Sequence, residues 1–447
     1  MKGIGVRIRG FRTAFHDYRY RTPIKFGGQA LDRATILDVA VVMEDRRGRR
    51  VRGRGSIPLG NIWSWPSRAL GYDRTIAAMR RHAGKLARLL PRAGGFGHPV
   101  ELAMDAEAEV VRSGLEAARE LGTGEPMPRL CALVTASPFD AAVHDAYGKL
   151  LRRNAYNCLG KDCMGTDISR WLGRRFRGEY LDRYTLRRPR PEMPLYHLVG
   201  ALDPLSPSEV RKPVGDGLPE HLGDWVRRDG LTHLKVKLNG DNLDWDVYRV
   251  LAVDAVASGV RRDGRLQYSL DFNERCRSAE YLLEFITRIA EWSPRARARI
   301  QYVEQPTARD LGGGKAARMH RIARLLPVVI DESLTDHESL LKARELGYSG
   351  AALKSCKGQS HALLMAAAAR KYGMFLSVQD LTCPGESFLH SAGLAARIPG
   401  VAAIEGNARQ YFPAGSFANW KRLHPGVFRV TNGRIRTAGL TRAGLGH

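Results

Sequence analysis

From residue 194 onward, the chain alternates short apolar runs with longer amphipathic stretches, and this alternation restricts its fold more than any other feature. The stretches between the apolar runs, such as "SAEYLLEFITRIAEW" and "SHALLMAAAARKYG", have helical periodicity. Eight strand–helix units over about 250 residues predict a parallel (β/α) barrel of the TIM type. A doubly wound open sheet is the alternative, but no GxGxxG sequence follows an early strand. The eight predicted strands lie near residues 195–200, 233–238, 267–271, 300–304, 326–331, 350–354, 374–378 and 401–405.

Residues 1–150 follow a different pattern, which is typical of an α+β domain. Three alternating runs, "IGVRIRGF", "TILDVAVVME" and "RRVRGRGSI", predict an antiparallel meander. Helical spacing follows at roughly 69–91, 101–121 and 136–152, and Ser137-Pro138 is a typical start signal for the last helix. We therefore predict an α+β domain over 1–157, an Arg-rich linker or insertion over 158–193, the barrel over 194–410 and a C-terminal tail over 411–447.

The formal net charge of +25 comes from 71 Lys and Arg residues against 46 Asp and Glu residues. Such an excess is compatible with nucleic acid, an anionic lipid surface or acidic substrates. The arginines are dispersed, however, and concentrate only at 46–54 and 170–190, where no nucleic-acid-binding motif occurs. We interpret them as surface or interface arginines and predict no specific nucleic-acid partner.

The cysteines and the first residues bear on the cellular compartment. Six cysteines occur without a CxxC pair, which predicts free thiols in a reducing compartment. The start of the chain lacks a secretory apolar core, and no stretch is apolar for the length that a bilayer requires. We therefore expect a cytoplasmic protein without a membrane partner.

Consecutive predicted strands end in charged residues. Asp271 in "YSLDFNE", Glu304 in "QYVEQP" and Asp331 in "VVIDES" end three strands, and Lys354 in "ALKSCKG" ends the next one. The carboxyl ends of barrel strands meet at one mouth, so these side chains are expected to form one site. Any one acid alone is explained by a salt bridge or a helix cap. Three acids in one pocket repel one another, and this favours one Mg²⁺ ion, for which Mn²⁺ could substitute.

Two further lysines, Lys235 and Lys237 in "LKVKLNG", share one face of a predicted strand because side chains alternate along it. Taken alone, the pair is typical of an exposed edge strand. Beside a cation that binds a substrate carboxylate, a lysine of lowered pKa can remove the α-proton and leave an enolate. Repulsion from Lys235 and the cation lowers the pKa of Lys237, so Lys237 is the predicted base. Lys354 would return the proton from the opposite side of the substrate.

These six positions resemble the signature of the enolase superfamily, specifically its muconate lactonizing enzyme subgroup, which has KxK, Asp, Glu, Asp and Lys on strands two to six. A Lys or His base with Mg²⁺ is the general pattern of that superfamily. The resemblance implies that the N-terminal domain caps the barrel, that "TPIKFGG" at 22–28 is a mobile substrate-capping loop, and that the tail ending in "AGLGH" returns to the capping domain. The mandelate racemase subgroup fits poorly, because "SVQD" and Lys354 stand where it has a His and an Asp.

The resemblance leaves the reaction open. Dipeptide epimerases of the subgroup hold the substrate ammonium with Asp-x-Asp on strand eight, whereas this chain has Glu405-Gly406-Asn407. Muconate enzymes have a lone Glu near that position, which Glu405 also satisfies. One expectation is a racemase or epimerase of an amino acid, an N-acyl amino acid or a dipeptide. The others are a cycloisomerase, a syn-dehydratase of the o-succinylbenzoate synthase type and, remotely, a non-catalytic scaffold that binds polyanions.

Other residues are candidates for substrate binding. We expect a small carboxylate substrate bound by Glu405, Asn407, Asn273 and Gln379, in a chain that forms a homo-oligomer. Several side chains admit a structural and a functional reading equally: Trp63 and Trp65 in "NIWSWPS", and His197 and Asp380, which are expected to point toward the mouth. His390 lies on a predicted helix, and we assign it no function. The segment 161–193 is longer than the family's usual link, and it either shapes an oligomer interface or partly covers the site.

Overall fold

The computed structural model describes residues 5–26, 29–312 and 314–447. Within these residues, the strands form a three-stranded antiparallel sheet and a closed barrel. The strands are β1 (Val6–Phe26), β2 (Gln29–Asp45), β3 (Arg50–Pro58), β4 (Glu192–Val199), β5 (His233–Lys237), β6 (Gln267–Asp271), β7 (Ile300–Glu304), β8 (Val328–Ile330), β9 (Gly350–Leu353), β10 (Phe375–Val378), β11 (Val401–Glu405) and β12 (Arg434–Arg436).

Helices cover the barrel and one face of the N-terminal sheet. None of the described helices is both long enough and apolar enough to cross a membrane. The α-helices are α1 (Asn61–Ser64), α2 (Tyr72–Ala93), α3 (Pro99–Asp105), α4 (Glu107–Glu120), α5 (Arg129–Leu150), α6 (Ser169–Leu172), α7 (Leu222–Asp229), α8 (Leu243–Val260), α9 (Ala279–Trp292), α10 (Pro294–Arg299), α11 (His320–Ala323), α12 (His337–Glu345), α13 (Gln359–Lys371), α14 (Gly385–Arg397), α15 (Ala408–Tyr411), α16 (Ala418–Leu423) and α17 (Pro425–Phe428).

The N-terminal sheet has the order β1-β2-β3, which confirms the predicted antiparallel meander. Helix α5 packs directly on β3, whose glycines alternate with arginines. A Cβ atom at Gly53 would lie 2.1 Å from the Ala142 carbonyl oxygen, and one at Gly55 would lie 2.1 Å from the Pro138 carbonyl oxygen. The two glycines therefore let the helix backbone touch the strand, while the alternate positions Arg52 and Arg54 are exposed.

The predicted start of α5 at Ser137-Pro138 is wrong, because the helix begins at Arg129 and runs through Pro138. Proline has no N–H group, so the carbonyl of Val134, one turn earlier, loses its usual partner. The Ser137 hydroxyl donates a hydrogen bond to that carbonyl at 2.8 Å. This bond replaces the missing one and lets the helix continue. The predicted helix over 101–121 is likewise divided, into α3 and α4, at Ala106.

Strands β4 to β11 form a closed parallel barrel, because β11 pairs with β4. All eight predicted strands and the TIM-type (β/α) fold class are confirmed. One layer of the barrel interior consists of Tyr196, Tyr302, Val329, Ala352 and Ala403. Side chains alternate along a strand, so residues two positions further along the chain point inward again, one layer nearer the mouth. Those positions include Glu304, Asp331, Lys354 and Glu405.

The segment 158–193 and the C-terminal tail are both tied to the barrel. The backbone N–H groups of Leu186 and Arg190 donate to the carbonyls that end α14. The tail supplies β12, which pairs antiparallel with β4, and it then reaches the N-terminal domain, where the Ala155 N–H donates to Gly444 at 2.7 Å. We propose on these contacts that the chain divides at 157/158, 193/194 and 410/411, with the tail returning to the capping domain.

The contact of α5 with β3 predicts the effect of adding one methyl group. Gly55→Ala would push a Cβ into the Pro138 carbonyl and is expected to lower the free energy of unfolding by about 1–3 kcal/mol. Urea unfolding followed by circular dichroism measures this change. Gly10→Ala in β1 is the control, because nothing lies within 4 Å of its Cβ position. Equal loss of stability in both variants would contradict the close contact.

Candidate active site

Three acids lie at the carboxyl ends of neighbouring barrel strands. Asp271 ends β6 and is opposite Glu304 at the end of β7, while Asp331 follows β8 directly. Their exposed fractions are 1%, 0% and 1%. Such buried charges are tolerated only with partners of opposite charge. The structure brings Lys235, Lys237 and Lys354 to the same place, as the strand register requires.

Lys235 lies at the centre of this charged cluster. Its Nζ atom is 2.8 Å from Glu304 Oε1, 2.9 Å from Glu405 Oε2 and 3.1 Å from Asp271 Oδ2. Burial by itself lowers the pKa of Lys235, but the three carboxylates outweigh burial and raise this pKa well above its ordinary value. Lys235 is therefore a fixed positive charge that holds three strands' side chains together.

Lys237 lies on one side of the cluster. Its Nζ atom is 2.5 Å from Asp271 Oδ2 and 3.0 Å from Asn273 Oδ1. Burial raises the pKa of Asp271, but the positive charges of Lys237 and Lys235 outweigh burial and lower it. Asn273 has φ 45° and Glu274 has φ 67°, conformations that are strained for residues other than glycine and that often mark functional sites. This turn aims the Asn273 amide at the predicted base.

Lys354 lies on the opposite side, four strands away from Lys237. Its Nζ atom is 2.7 Å from Asp331 Oδ2. Burial lowers the pKa of Lys354, but Asp331 outweighs burial and raises it. A second lysine that the sequence reasoning missed, Lys357, donates to the Asp331 carbonyl at 2.5 Å and lies 3.2 Å from Oδ1. The "KSCK" spacing, which returns Lys357 to the same side of a tight turn, is the signal that could have identified it.

Gln379 contacts Glu304 and the barrel interior beneath it. Its side-chain amide donates to Glu304 Oε2 and lies 3.3 Å from the hydroxyl of Tyr302, a residue of the barrel interior. Burial, reinforced by the negative charge of Asp271, raises the pKa of Glu304 well above its ordinary value. Gln379 thus contacts a site residue directly, in a position to orient its carboxylate.

The end of β11 and the turn after β10 form a second acidic region. Glu405 Oε1 accepts from the Asn407 amide at 3.1 Å, and Asn407 Oδ1 has no hydrogen-bond partner in the described part of the chain. Asp380 accepts backbone N–H groups from Thr382 and Cys383. Burial and the charge of Glu405 raise the pKa of Asp380 well above its ordinary value. The structure therefore brings Glu405, Asn407 and Asp380 together beside Lys235.

Trp63 of the N-terminal domain covers the lysine side of the mouth. The Lys354 Nζ atom is 4.3 Å from the centroid of the Trp63 ring, and the indole N–H donates to Glu332 Oε1 at 2.9 Å. Glu332 is a buried carboxyl that the sequence reasoning missed, and burial with the charge of Asp331 raises its pKa to about 8. Trp63 and Trp65 both belong to the same hydrophobic core cluster, and Trp63 in addition contacts Lys354 and Glu332.

Two further expectations concern the first barrel strand. His197 does not point toward the mouth: it lies against Trp225 of α7, and its ring nitrogens contact Arg409 and Gln410. Strand alternation explains the correction, since its neighbours Tyr196 and Leu198 point inward. Of the expected capping loop, residues 22–26 complete β1, and Gly27 and Gly28 lie outside the described residues.

A cleft of about 790 Å³ opens beside the carboxyl end of β4. One wall comes from residues 21–23 of the N-terminal domain. The other comes from the barrel, from residues between 197 and 225 together with Gln410 and Tyr411, and it includes His197. Ile24 packs next to this cleft on Leu198 and Tyr411. The cleft thus lies where the two domains meet, and none of the acids and lysines of the charged cluster is among its lining residues.

The donor chemistry of the three acids fits a hard divalent cation, because all are buried carboxylates at one mouth. Among the described residues, Asp271, Glu304 and Asp331 do not have oxygens that all lie within 4.8 Å of one another. Their oxygens instead contact the ammonium groups of Lys235, Lys237 and Lys354. A cation shared by the three acids would therefore compete with the lysines for these oxygens.

Comparisons with solved structures show the same fold in other proteins. A dipeptide epimerase from Enterococcus faecalis V583, solved with Mg and L-Leu-L-Tyr, has 15% sequence identity and a TM-score of 0.61 over 98% of this chain and 99% of that one. A muconate lactonizing enzyme from Pseudomonas fluorescens, solved with muconolactone, has 17% identity and a TM-score of 0.59 over 98% and 96%. A racemase from Streptomyces coelicolor A3(2), solved with bound magnesium, has 17% identity and a TM-score of 0.58 over 98% and 96%.

At these identities, the solved structures establish the likeness of fold. No curated protein matches the sequence. The family model described as "Enolase C-terminal domain-like" matches residues 218–447, which is more than half of the chain. Taken with the barrel and the order of its charged strand ends, this match means that the chain belongs to the enolase superfamily, in the group of mandelate racemase and muconate lactonizing enzyme.

Proposed function

We propose that this protein is an enzyme that removes the proton α to the carboxylate of a small substrate, as a racemase or epimerase. The observation that carries the proposal is the placement of Lys237 and Lys354 on opposite sides of three buried acids. Bases on two sides of a substrate can remove a proton from one face and return one to the other. Such transfer inverts the configuration at the α-carbon.

Asp271, Glu304 and Asp331 would hold one Mg²⁺ ion, for which Mn²⁺ could substitute. When bound, the ion supplies positive charge beside the substrate carboxylate and so stabilises the enolate. Lys237 accepts or returns the proton on one face, and Asn273 Oδ1, 3.0 Å from Nζ, orients it. Lys354 acts on the other face, where the Trp63 ring shields its ammonium group from water. Lys235 keeps its charge and holds the acids in place.

The region around Glu405 supports a substrate with an amino group. The Glu405 carboxylate can attract a cation on this side of the mouth, and the unpaired Asn407 Oδ1 can accept a hydrogen bond. An ammonium group would be attracted there. We therefore propose amino acids or dipeptides as substrates, and also N-acyl amino acids, whose neutral amide N–H could donate to Asn407 Oδ1 instead. Glu405, Asn407, Asn273 and Gln379 would surround the bound molecule.

One observation favours a second candidate. Glu405 is already 2.9 Å from the Lys235 ammonium, so less of its negative charge is left for a substrate cation. A substrate without an amino group would suit this arrangement, as in a cycloisomerase or a syn-dehydratase. Such reactions keep the enolate step but need a single base for proton removal. The two candidates therefore differ in how many lysines exchange protons with the substrate.

We also propose a cytoplasmic location, which the six buried, free cysteines support. Assembly into a homo-oligomer, and a role of 161–193 at its interface or over the site, stay predictions. A scaffold that binds polyanions is the remote alternative. Its binding would fall with salt but survive both EDTA and Lys237→Ala, since neither removes surface arginines.

Exchange of the substrate α-proton in deuterated water tests the proposed racemase. We screen dipeptides, N-acyl amino acids and other small carboxylates in both configurations by mass spectrometry. Lys237→Ala is expected to lower the rate of α-proton exchange for one configuration of the substrate, and Lys354→Ala the rate for the other configuration. Each rate should fall by about 10²-fold or more. EDTA should stop exchange in the wild-type protein, and added Mg²⁺ should restore it.

Lys342→Ala is the control for this experiment, because Lys342 is exposed and pairs only with Glu345 on α12 in the ion pairs of the described chain. Its exchange rates should equal those of the wild-type protein. Loss of exchange in one lysine variant alone, with formation of a lactone or alkene, would favour the second candidate. Metal-independent exchange that persists in both variants would refute the proton-transfer roles.

The position of Trp63 over Lys354 predicts that removing its ring slows proton exchange only on the substrate face that Lys354 serves. Trp63→Ala opens the Lys354 ammonium to water and is expected to slow exchange through Lys354 roughly tenfold or more relative to exchange through Lys237. Trp63→Phe is the matched control, because it retains a ring over Lys354 but loses the N–H bond to Glu332. The ratio of exchange rates for the two substrate configurations is the measurement. An unchanged ratio in Trp63→Ala would show that the ring has no such role.

A further inference from the structure

A group of metal-ligating side chains lies outside the barrel mouth, where α14 meets the C-terminal tail. Glu386 and His390 are one turn apart on α14 and so share a face. His447 of the tail approaches the same face, with Nε2 3.6 Å from Glu386 Oε1. One ligand atom from each of the three residues lies within 4.8 Å of the other two, and no other such group of His, Cys, Asp or Glu occurs among the described residues.

These side chains are buried, and two of their nitrogens have no hydrogen-bond partner. His390 is 3% exposed and the side chain of His447 is 5% exposed. His390 Nε2 and His447 Nδ1 are both unpaired in the described structure. Two buried rings that each have an unpaired nitrogen therefore lie beside the Glu386 carboxylate, where a ligand could satisfy them.

An ion pair alone does not account for the group. Arg54 of β3 lies 3.3 Å from Glu386 Oε2 and contacts the Trp420 ring. This pair satisfies one carboxylate oxygen and leaves Oε1 directed at His447. It provides no partner for the unpaired nitrogens of His390 and His447. Because the Arg54 side chain is 59% exposed, it can move aside when a cation approaches.

We propose that Glu386, His390 and His447 bind one Zn²⁺ ion at a structural site separate from the barrel mouth. Two imidazoles and a carboxylate are ligands typical of zinc, whereas Mg²⁺ prefers a set of oxygens. Zinc holds such ligands at about 2.0–2.2 Å, so tetrahedral ligands lie a little over 3 Å apart. The 3.6 Å between His447 and Glu386 is near that spacing. The fourth position is left for water.

The ion would join three parts of the molecule. Glu386 and His390 belong to a barrel helix, His447 belongs to the tail, and Arg54 links the same carboxylate to the N-terminal sheet. Zinc bound here would stabilise the docking of the tail without taking part in proton transfer.

Zinc titration of the full-length, metal-stripped protein tests the site. The protein is kept in excess Mg²⁺ to occupy the barrel acids, and Zn²⁺ is shared with a chromophoric chelator. We expect one Zn²⁺ per chain and a rise in the thermal unfolding midpoint with zinc concentration. His390→Gln and His447→Gln should each weaken binding by roughly tenfold or more, and in both the zinc-dependent rise should be lost.

Two variants serve as controls. His424→Gln removes a neighbouring ring whose centroid lies 6.2 Å from that of His447, and it should bind zinc as the wild-type protein does. Lys354→Ala alters the barrel mouth and should also leave zinc binding unchanged. Should His390→Gln fail to fold, His447→Gln in the tail decides the outcome. Absence of zinc binding, or equal binding by the wild-type protein and the His447→Gln variant, would overturn the proposal.

Discussion

The structure depends on burying many charges of both signs at one end of a barrel. Four carboxylates and four lysines meet there, and each carboxylate contacts at least one ammonium group or amide. An unpaired buried charge would destabilise the fold, so removing one partner leaves the others without compensation. These ion pairs therefore hold the strand ends in fixed positions relative to one another. The residues are Asp271, Glu304, Asp331, Glu405, Lys235, Lys237, Lys354 and Lys357.

Strand periodicity made most of the barrel and its charged cluster predictable from the sequence. A side-chain period of two specifies which residues face inward, and parallel strands bring their carboxyl ends together, so Lys237 and Lys354 could be placed on opposite sides. The same rule does not extend past the strand ends. Glu332 and Lys357 lie in turns, where backbone conformation rather than alternation decides the direction of a side chain. The predicted direction of the His197 side chain was wrong because its neighbours Tyr196 and Leu198 occupy the inward face of the strand.

In other places, tertiary contacts rather than local sequence signals decided the structure. Ser137-Pro138 is typical of a helix start, yet the helix passes through it because the serine hydroxyl replaces the missing backbone bond. Both tryptophans of "NIWSWPS" pack in the core, and nothing in that sequence tells which one also contacts the charged residues of the barrel. His390 has no sequence signal as a ligand, since its partner His447 lies in a distant part of the chain. Such pairings depend on docking, which only three-dimensional structure reveals.

The hydrogen bond between Trp63 and Glu332 joins residues 269 positions apart in the sequence. The Trp63 ring also lies over Lys354 of the barrel. A barrel without its N-terminal partner would contain both lysines, yet one of them would lack the ring that covers it. This side of the mouth is therefore complete only when both domains are in place.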